Sequence, residues 1–235
     1  MYQLEMHLHT INQSPCAETD VKTIAKLYHE HGYDGIVCTN HFIRHLCEYD
    51  YKQGSPEKNV EYYLEGYYSL KEECKKYGID VFFGMELNTD ALSYYKEPAP
   101  KGELLIYGIT PEWVRAHPYE LFPMTTEEIY RLCRENGWIL VQSHPYRDYM
   151  EIQNPEFLEG YEVYNGHPHQ NSRNPKALAL AEKHGMLMTA GSDFHTTDAV
   201  GSGVLLQNPV KTNEELVREL RKRTHIIMKR ANATD

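Results

Sequence analysis

Short apolar runs alternate with helix-patterned segments from one end of the chain to the other, and this alternation limits its fold more than any other feature. Strand patterns fall at 2–8, 35–40, 81–87, 103–109, 138–144, 160–165 and 186–193, with 203–208 as an eighth or edge strand. Helix patterns fall between them. Thr19 or Asp20 caps a helix that Gly32 ends, and Pro56 opens a long one over 57–77 that Gly78 stops. Thr125 and Glu128 form a T-x-x-E capping box for 125–137. Helices follow at 174–185 and, behind Thr212, at 212–223. Buried strands separated by helices imply a parallel sheet, and seven or eight such units imply a closed or distorted barrel of the α/β, TIM-barrel-like class. No repeat or linker interrupts the pattern, so residues 1–235 read as a single domain.

Composition narrows the function. The net charge of −10 argues against nucleic acid or an anionic membrane bound through a broad basic face. It leaves room for a local basic pocket. Five cysteines, an odd number without a C-x-x-C pair, read as free thiols, with Cys38 and Cys133 expected in the core. No apolar run reaches the roughly 20 residues of a membrane span. The opening MYQLEMHLHT lacks the basic and apolar regions of a signal peptide, so a cytoplasmic location is expected. Tyr63 and Tyr67, and Leu64 and Tyr68, are spaced to pack one helix face.

The metal-type side chains fall in one place on this map. His7 and His9 end strand one, His41 follows strand two and Glu86 lies near the end of strand three. His144 ends strand five; Asp193 and His195 end strand seven. All seven stand at C-terminal strand ends, which share one rim in a barrel. Imidazole and carboxylate suit Zn, Mn or Fe, and seven candidates exceed the needs of one four-coordinate ion. Two or three divalent ions are therefore expected.

The ordered stretches MHLHT, TNHF, GMEL, SHPYR and GSDFH, spread over about residues 5–200, resemble the PHP (polymerase and histidinol phosphatase) family. The resemblance implies a distorted seven-stranded β/α barrel with a two- or three-metal site and phosphoesterase activity. It implies that His7, His9, Glu86 and Asp193 hold a first ion, Glu86 and His144 a second, and His41 and His195 a third. Asp193, or a water on the metals, would lie close to the attacking oxygen. Two departures stand out. Where relatives carry another His or Asp after the paired histidines, this chain has TINQSPCAE, with Glu18 the leading substitute and Cys16 the next. Where relatives supply a histidine around strand four, ELLIYGIT has none; Glu103 falls at that strand's start, and Tyr107 is the other candidate.

The expected reaction is hydrolysis of a small phosphomonoester by a metal-activated water, with Asp193, His195 and Arg147 as catalytic residues. Arg147 would hold the remaining phosphoryl oxygens, unless it forms a surface ion pair with Asp148 or Glu151. Arg44 and Arg173 are weaker candidates. Asn165, His167 and His169 are placed to shape the pocket. His29, His31, His45, His117, His184 and His225 read as structural or exposed. The alternatives are a phosphodiesterase or exonuclease on nucleic acid, a protein-tyrosine phosphatase, or a non-catalytic metal-binding regulatory domain.

Overall fold

The computed structural model describes residues 1–95 and 101–230. Strands β1 (Tyr2–Leu8), β2 (Gly35–Cys38), β3 (His41–Ile43), β4 (Asp80–Asn88) and β5 (Leu104–Tyr107) are followed by β6 (Ile139–Gln142), β7 (Gly160–Asn165), β8 (Leu187–Gly191), β9 (Gly203–Leu206) and β10 (Ile226–Met228). The helices are α1 (Val21–Glu30), α2 (Pro56–Lys75), α3 (Pro111–Ala116), α4 (Thr126–Asn136), α5 (Asn174–His184) and α6 (Asn213–Arg221).

Seven strands form the ring, in the order β1-β2-β4-β5-β6-β7-β8, with β3 paired to β4. Two backbone hydrogen bonds bring the last strand's end back to the first: His9 N donates to Phe194 O, and Phe194 N donates to His7 O. The barrel is thus joined at the rim where the paired histidines lie. Strands β9 and β10 extend the sheet outward from β1 as antiparallel partners. The sheet is not wholly parallel, because β5 runs antiparallel to both β4 and β6. Among the described residues no helix lies between β4 and β5, whereas a parallel return usually uses one.

Local chemistry explains the element ends. The Asp20 carboxylate accepts from Lys22 N and Thr23 N at the start of α1. Thr125 and Glu128 form both halves of the capping box at α4. Gly32 and Gly78 follow their helices with φ of 74° and 72°. One apolar cluster joins Leu4, Met6, Val37, Phe82 and Val141 to Leu216, Val217 and Leu220 of α6. A second packs the sheet against α1, α2 and α4. In that second cluster Tyr63 lies tilted against Phe42 at 4.8 Å and Tyr67 meets Phe83 edge-on at 5.3 Å, which accounts for these two tyrosines of the helix. Cys38 and Cys133 are buried, and all five cysteines are free. Among the described residues no helix is long and apolar enough to cross a membrane.

Candidate metal centre

Glu86 is the hub of the rim. It is fully buried on β4, directly opposite His41 in the β3–β4 register. Its Oε1 lies 3.2 Å from both His7 Nε2 and His144 Nε2. Its Oε2 lies 2.9 Å from His41 Nδ1 and 3.4 Å from His9 Nε2. Asp193 Oδ1 stands 3.3 Å from His7 Nε2, 3.2 Å from His9 Nε2 and 3.4 Å from His195 Nδ1. The seven residues read from the sequence therefore converge. Their closest sets are His7, His9, Glu86 and Asp193; His41, Glu86 and Glu103; and His9, His41 and His195.

The backbone is bent to achieve this. His144 (φ 26°) and Asp193 (φ 48°) both occupy the left-handed region, a conformation that non-glycine residues adopt at local cost and that clusters at functional sites. A register shift between Glu5 and Leu8 interrupts the β1–β2 ladder just where His7 sits. Gly191 packs so closely that a side chain there would strike the His7 Cβ.

Of the two strand-four candidates, Glu103 and Tyr107, the structure brings Glu103 to the rim. A strand that runs antiparallel starts where its neighbours end, so Glu103 arrives at the metal-type rim, and Tyr107 at the far end of the strand. Glu103 Oε1 lies 3.5 Å from His41 Nδ1, and Oε2 lies 3.4 Å from His144 Nε2. The signal was the helix-free link between the third and fourth apolar runs. Glu18 is exposed at the lining of the cleft and joins none of these sets. Its backbone N–H is held by His195 O, which turns the side chain to the cleft's edge. Cys16 points inward instead, with Sγ 3.1 Å from His195 Nε2.

Second-layer groups fix which ring nitrogen is bare. His7 Nδ1 faces Glu162 Oε1 at 2.9 Å and donates to it, so Nε2 is the nitrogen turned to Glu86 and Asp193 and the one that would carry the lone pair in the neutral ring. His9 Nδ1 faces Ser14 Oγ at 3.1 Å, and that hydroxyl donates its own proton to Asn40 Oδ1. His9 Nε2 is bare by the same reasoning. His195 Nδ1 bonds the Asp193 carbonyl at 2.8 Å, which leaves Nε2 open. Asn40 also holds the turn after the paired histidines, accepting from Thr10 N at 2.7 Å and donating to Thr10 Oγ1 at 2.8 Å. Neither Glu162 nor Ser14 was visible as a site residue from sequence.

Charge in the ring is mutually supported. Burial alone would raise the Glu86 carboxyl, but the His7 and His41 charges hold it well below the usual carboxylate range. Asp193 is likewise held low against burial by His7, Arg147 and His195. Burial opposes charge on His7 as well, yet Glu86, Asp193 and Glu162 push it well above its ordinary value. His9 is pushed well below, by burial and then by the neighbouring His41 and His195. The Cys16 thiol is lowered to about 6, the His195 and His41 bonds outweighing its burial. Burial, reinforced by Glu86, raises Glu103.

Whether this set suits a divalent metal is answered by its orphaned atoms. His7 Nε2, His9 Nε2, His41 Nδ1, Glu86 Oε2 and His144 Nδ1 are buried without a hydrogen-bond partner. Buried polar atoms are rarely left so. Four of these five face inward on one another as nitrogen and carboxylate donors, the set that zinc, manganese and iron accept. The residues fit the ion.

Arg147 borders the same cleft, which has a volume of about 340 Å³. Its Nη2 donates to Asp193 Oδ2 at 2.6 Å, Asn165 Oδ1 at 2.9 Å and Ser172 Oγ at 3.3 Å. Its Nε is buried with no partner. The surface ion pair with Asp148 or Glu151 does not form; Arg173 takes Asp148, and Arg44 takes Asp90 and Glu48. His167 and His169 line the cleft mouth.

Residues 171–225, which include Asp193 and His195, match the family model PHP_C, PHP-associated. No curated protein matches the chain. Among solved structures, the chain is similar to a two-domain Bacteroides vulgatus protein containing a predicted PHP-like metal-dependent phosphoesterase (TM-score 0.64, 16% identity, 96% of this chain). The chain spans 64% of that protein's length. PsfC from Pseudomonas syringae matches with TM-score 0.65 at 16% identity over 96% of this chain and 89% of its own. The lesion-specific endonuclease from Pyrococcus furiosus matches with TM-score 0.61 at 12% identity, over 96% of this chain and 57% of its own. A PHP-associated segment over 171–225 thus lies within a chain whose fold matches that of a PHP-like neighbour along nearly its whole length.

Proposed function

We propose that the chain is a metal-dependent phosphoesterase that hydrolyses a small phosphomonoester. The carrying observation is the buried ring of unpartnered imidazole and carboxylate donors with a buried arginine on its edge. In this reading His7, His9, Glu86 and Asp193 hold one ion, and Glu86, Glu103, His144 and His41 a second. His41 and His195 serve a third. Two or three bound zinc, manganese or iron ions would supply an activated water and positive charge against the phosphoryl oxygens.

The chain's own residues do the rest. Glu162 and Ser14 hold the His7 and His9 rings in the tautomer that presents Nε2 inward. Asp193 joins the two halves of the site, with Oδ1 among the ring nitrogens and Oδ2 on Arg147. Arg147, anchored at one end by Asp193, Asn165 and Ser172, offers Nε to a substrate oxygen. The cleft of about 340 Å³ suits a phosphoryl group, and a neighbouring cavity of about 350 Å³ sharing His167, His169 and Gln170 suits the organic part. Net charge of −10 disfavours a polynucleotide. Five free thiols fit a reducing, cytoplasmic setting.

The test is phosphate release from a panel of small phosphomonoesters, phosphodiesters and oligonucleotides with each divalent metal in turn. Turnover of monoesters, lost in Asp193→Ala, is expected. Turnover confined to diesters or oligonucleotides would overturn the substrate class, and no turnover of any ester would overturn the activity.

A further inference from the structure

We propose that Glu5 is a positioning residue of the metal centre, its buried carboxylate holding the backbone on both sides of the site so that His7 and Asp193 stand as a paired set of ligands before any ion arrives. This rests on the reading of the rim as a metal centre and adds to it a residue that meets no ion itself.

Two backbone N–H groups at strand irregularities carry the inference. The β1–β2 ladder shifts register between Glu5 and Leu8, and within that shift His7 N donates to Glu5 Oε1 at 2.9 Å. Ser192 directly follows β8, and its N–H donates to the same oxygen at 2.8 Å. Buried N–H groups need acceptors, and one carboxylate oxygen serves both. The other oxygen accepts from Tyr28 Oη of α1 at 2.8 Å, which pins the fully buried carboxylate in place. Gly191 leaves room for this approach: a Cβ there would lie 3.1 Å from Glu5 Oε1.

The consequence falls on Asp193. Ser192 N is tied to Glu5, and Phe194 N to His7 O at 3.1 Å, so both neighbours of Asp193 are bonded to β1. Its φ of 48° is imposed by those two ties. Asp193 Oδ1 is thereby set 3.3 Å from His7 Nε2. Glu162 orients the His7 ring, and Glu5 orients the backbone that carries it. Ligands fixed in advance need not be ordered by the ion, and outer groups of this kind change metal affinity about 10–100-fold.

Three substitutions in the full chain separate this role from plain stability. Glu5→Leu keeps an apolar filling but removes the acceptor of both N–H groups. Glu5→Gln keeps a carbonyl oxygen for them and turns its NH₂ to the Tyr28 hydroxyl, which can accept. Tyr28→Phe removes only the outer bond. Each protein is stripped of metal, titrated with cobalt(II) against a chelator, and followed by its visible bands; urea unfolding is measured without metal. Glu5→Leu should weaken the ion held by His7, His9, Glu86 and Asp193 about 10–100-fold and alter its visible bands. Glu5→Gln should keep affinity within about threefold, and Tyr28→Phe should lose stability with affinity unchanged. Where Glu5→Leu does not fold, amide exchange in the metal-free unsubstituted protein decides: the His7 and Ser192 amides are expected to exchange as slowly as those of the β4 ladder. Unchanged affinity in Glu5→Leu, loss of affinity in step with stability across all three variants, or fast exchange of those two amides overturns the proposal and leaves the metal centre standing. An unsubstituted protein that binds no cobalt overturns both.

Discussion

Replacing Glu162 by Gln tests how this barrel prepares its histidines. The carboxylate sits behind the centre and touches three parts of it. Oε1 accepts from His7 Nδ1 at 2.9 Å, while Oε2 accepts from His144 N at 3.0 Å and from Asn165 Nδ2 at 2.9 Å. Glutamine has the same shape and can keep the two Oε2 bonds through its carbonyl. Its NH₂ then faces His7 Nδ1, and two donors cannot share that contact. The imidazole must move its proton to Nε2, the nitrogen that faces Glu86 and Asp193. Removing an orienting partner of this kind weakens metal binding about 10–100-fold, or about 1.4–2.8 kcal/mol. The effect should fall on the ion held by His7, His9, Glu86 and Asp193, with little change in the melting temperature of the loaded protein beyond that linkage. Chelator-competition titration of the metal measures it. An affinity within about twofold of the unsubstituted protein would refute the tautomer argument, because it would mean that His7 needs no partner at Nδ1.

Four further outcomes follow from the same contacts. Glu103→Gln should lower the occupancy of the ion between His41 and His144 while leaving the His7–His9 ion in place, as read by metal analysis after dialysis. Arg147→Ala removes a charge-assisted contact and should reduce kcat/KM for a monoester by about 10–100-fold; Arg147→Lys should recover part of it in steady-state assays. Glu5 gives a pH signature. Burial raises its carboxyl to about 7 from 4.5, partly offset by bonds from Ser192, His7 and Tyr28. The folded state therefore holds this proton more tightly than the unfolded chain. Stability from Glu5 is full below pH 4.5 and lost as pH rises through about 7, a cost near 3 kcal/mol. Glu5→Gln should match the unsubstituted protein at acidic pH and exceed it at pH 8 by up to about that amount in urea titrations. Finally, a Cβ at Gly66 would meet Gln13 Oε1 and Asn40 Nδ2 at 2.7 Å, in the network that seats Ser14 behind His9. Gly66→Ala should cost about 1–3 kcal/mol in chemical denaturation and loosen metal binding as well.

How much of this was readable in the sequence depended on whether the signal was local. The α4 capping box, the stop at Gly78 and the packing of Tyr63, Leu64 and Tyr67 are all set within a few residues and appear as read, whereas Tyr68, read as part of the same face, is exposed. The convergence of the seven rim residues was legible because each stands at the end of an apolar run, and a barrel turns that position into a shared place. Strand direction is not local. Glu103 belongs to the site because β5 is inverted, and only the missing helix before it hinted at that. Glu162 and Ser14 act through residues distant in sequence or through a turn of irregular geometry, so residue type gave them no mark. The turn over 11–16 decides which side chain approaches His195, and it brings Cys16 there rather than Glu18.

The central claim is that the rim is a centre for more than one metal ion, and the metal count of the folded chain tests it most directly. The protein is stripped with chelator, reloaded with zinc or manganese, freed of excess and analysed for metal per chain. The account predicts at least two ions per chain, falling in His9→Ala and in Glu86→Gln, since Glu86 touches four imidazoles. A stoichiometry well below one ion per chain with every metal, unchanged by those substitutions, would contradict it.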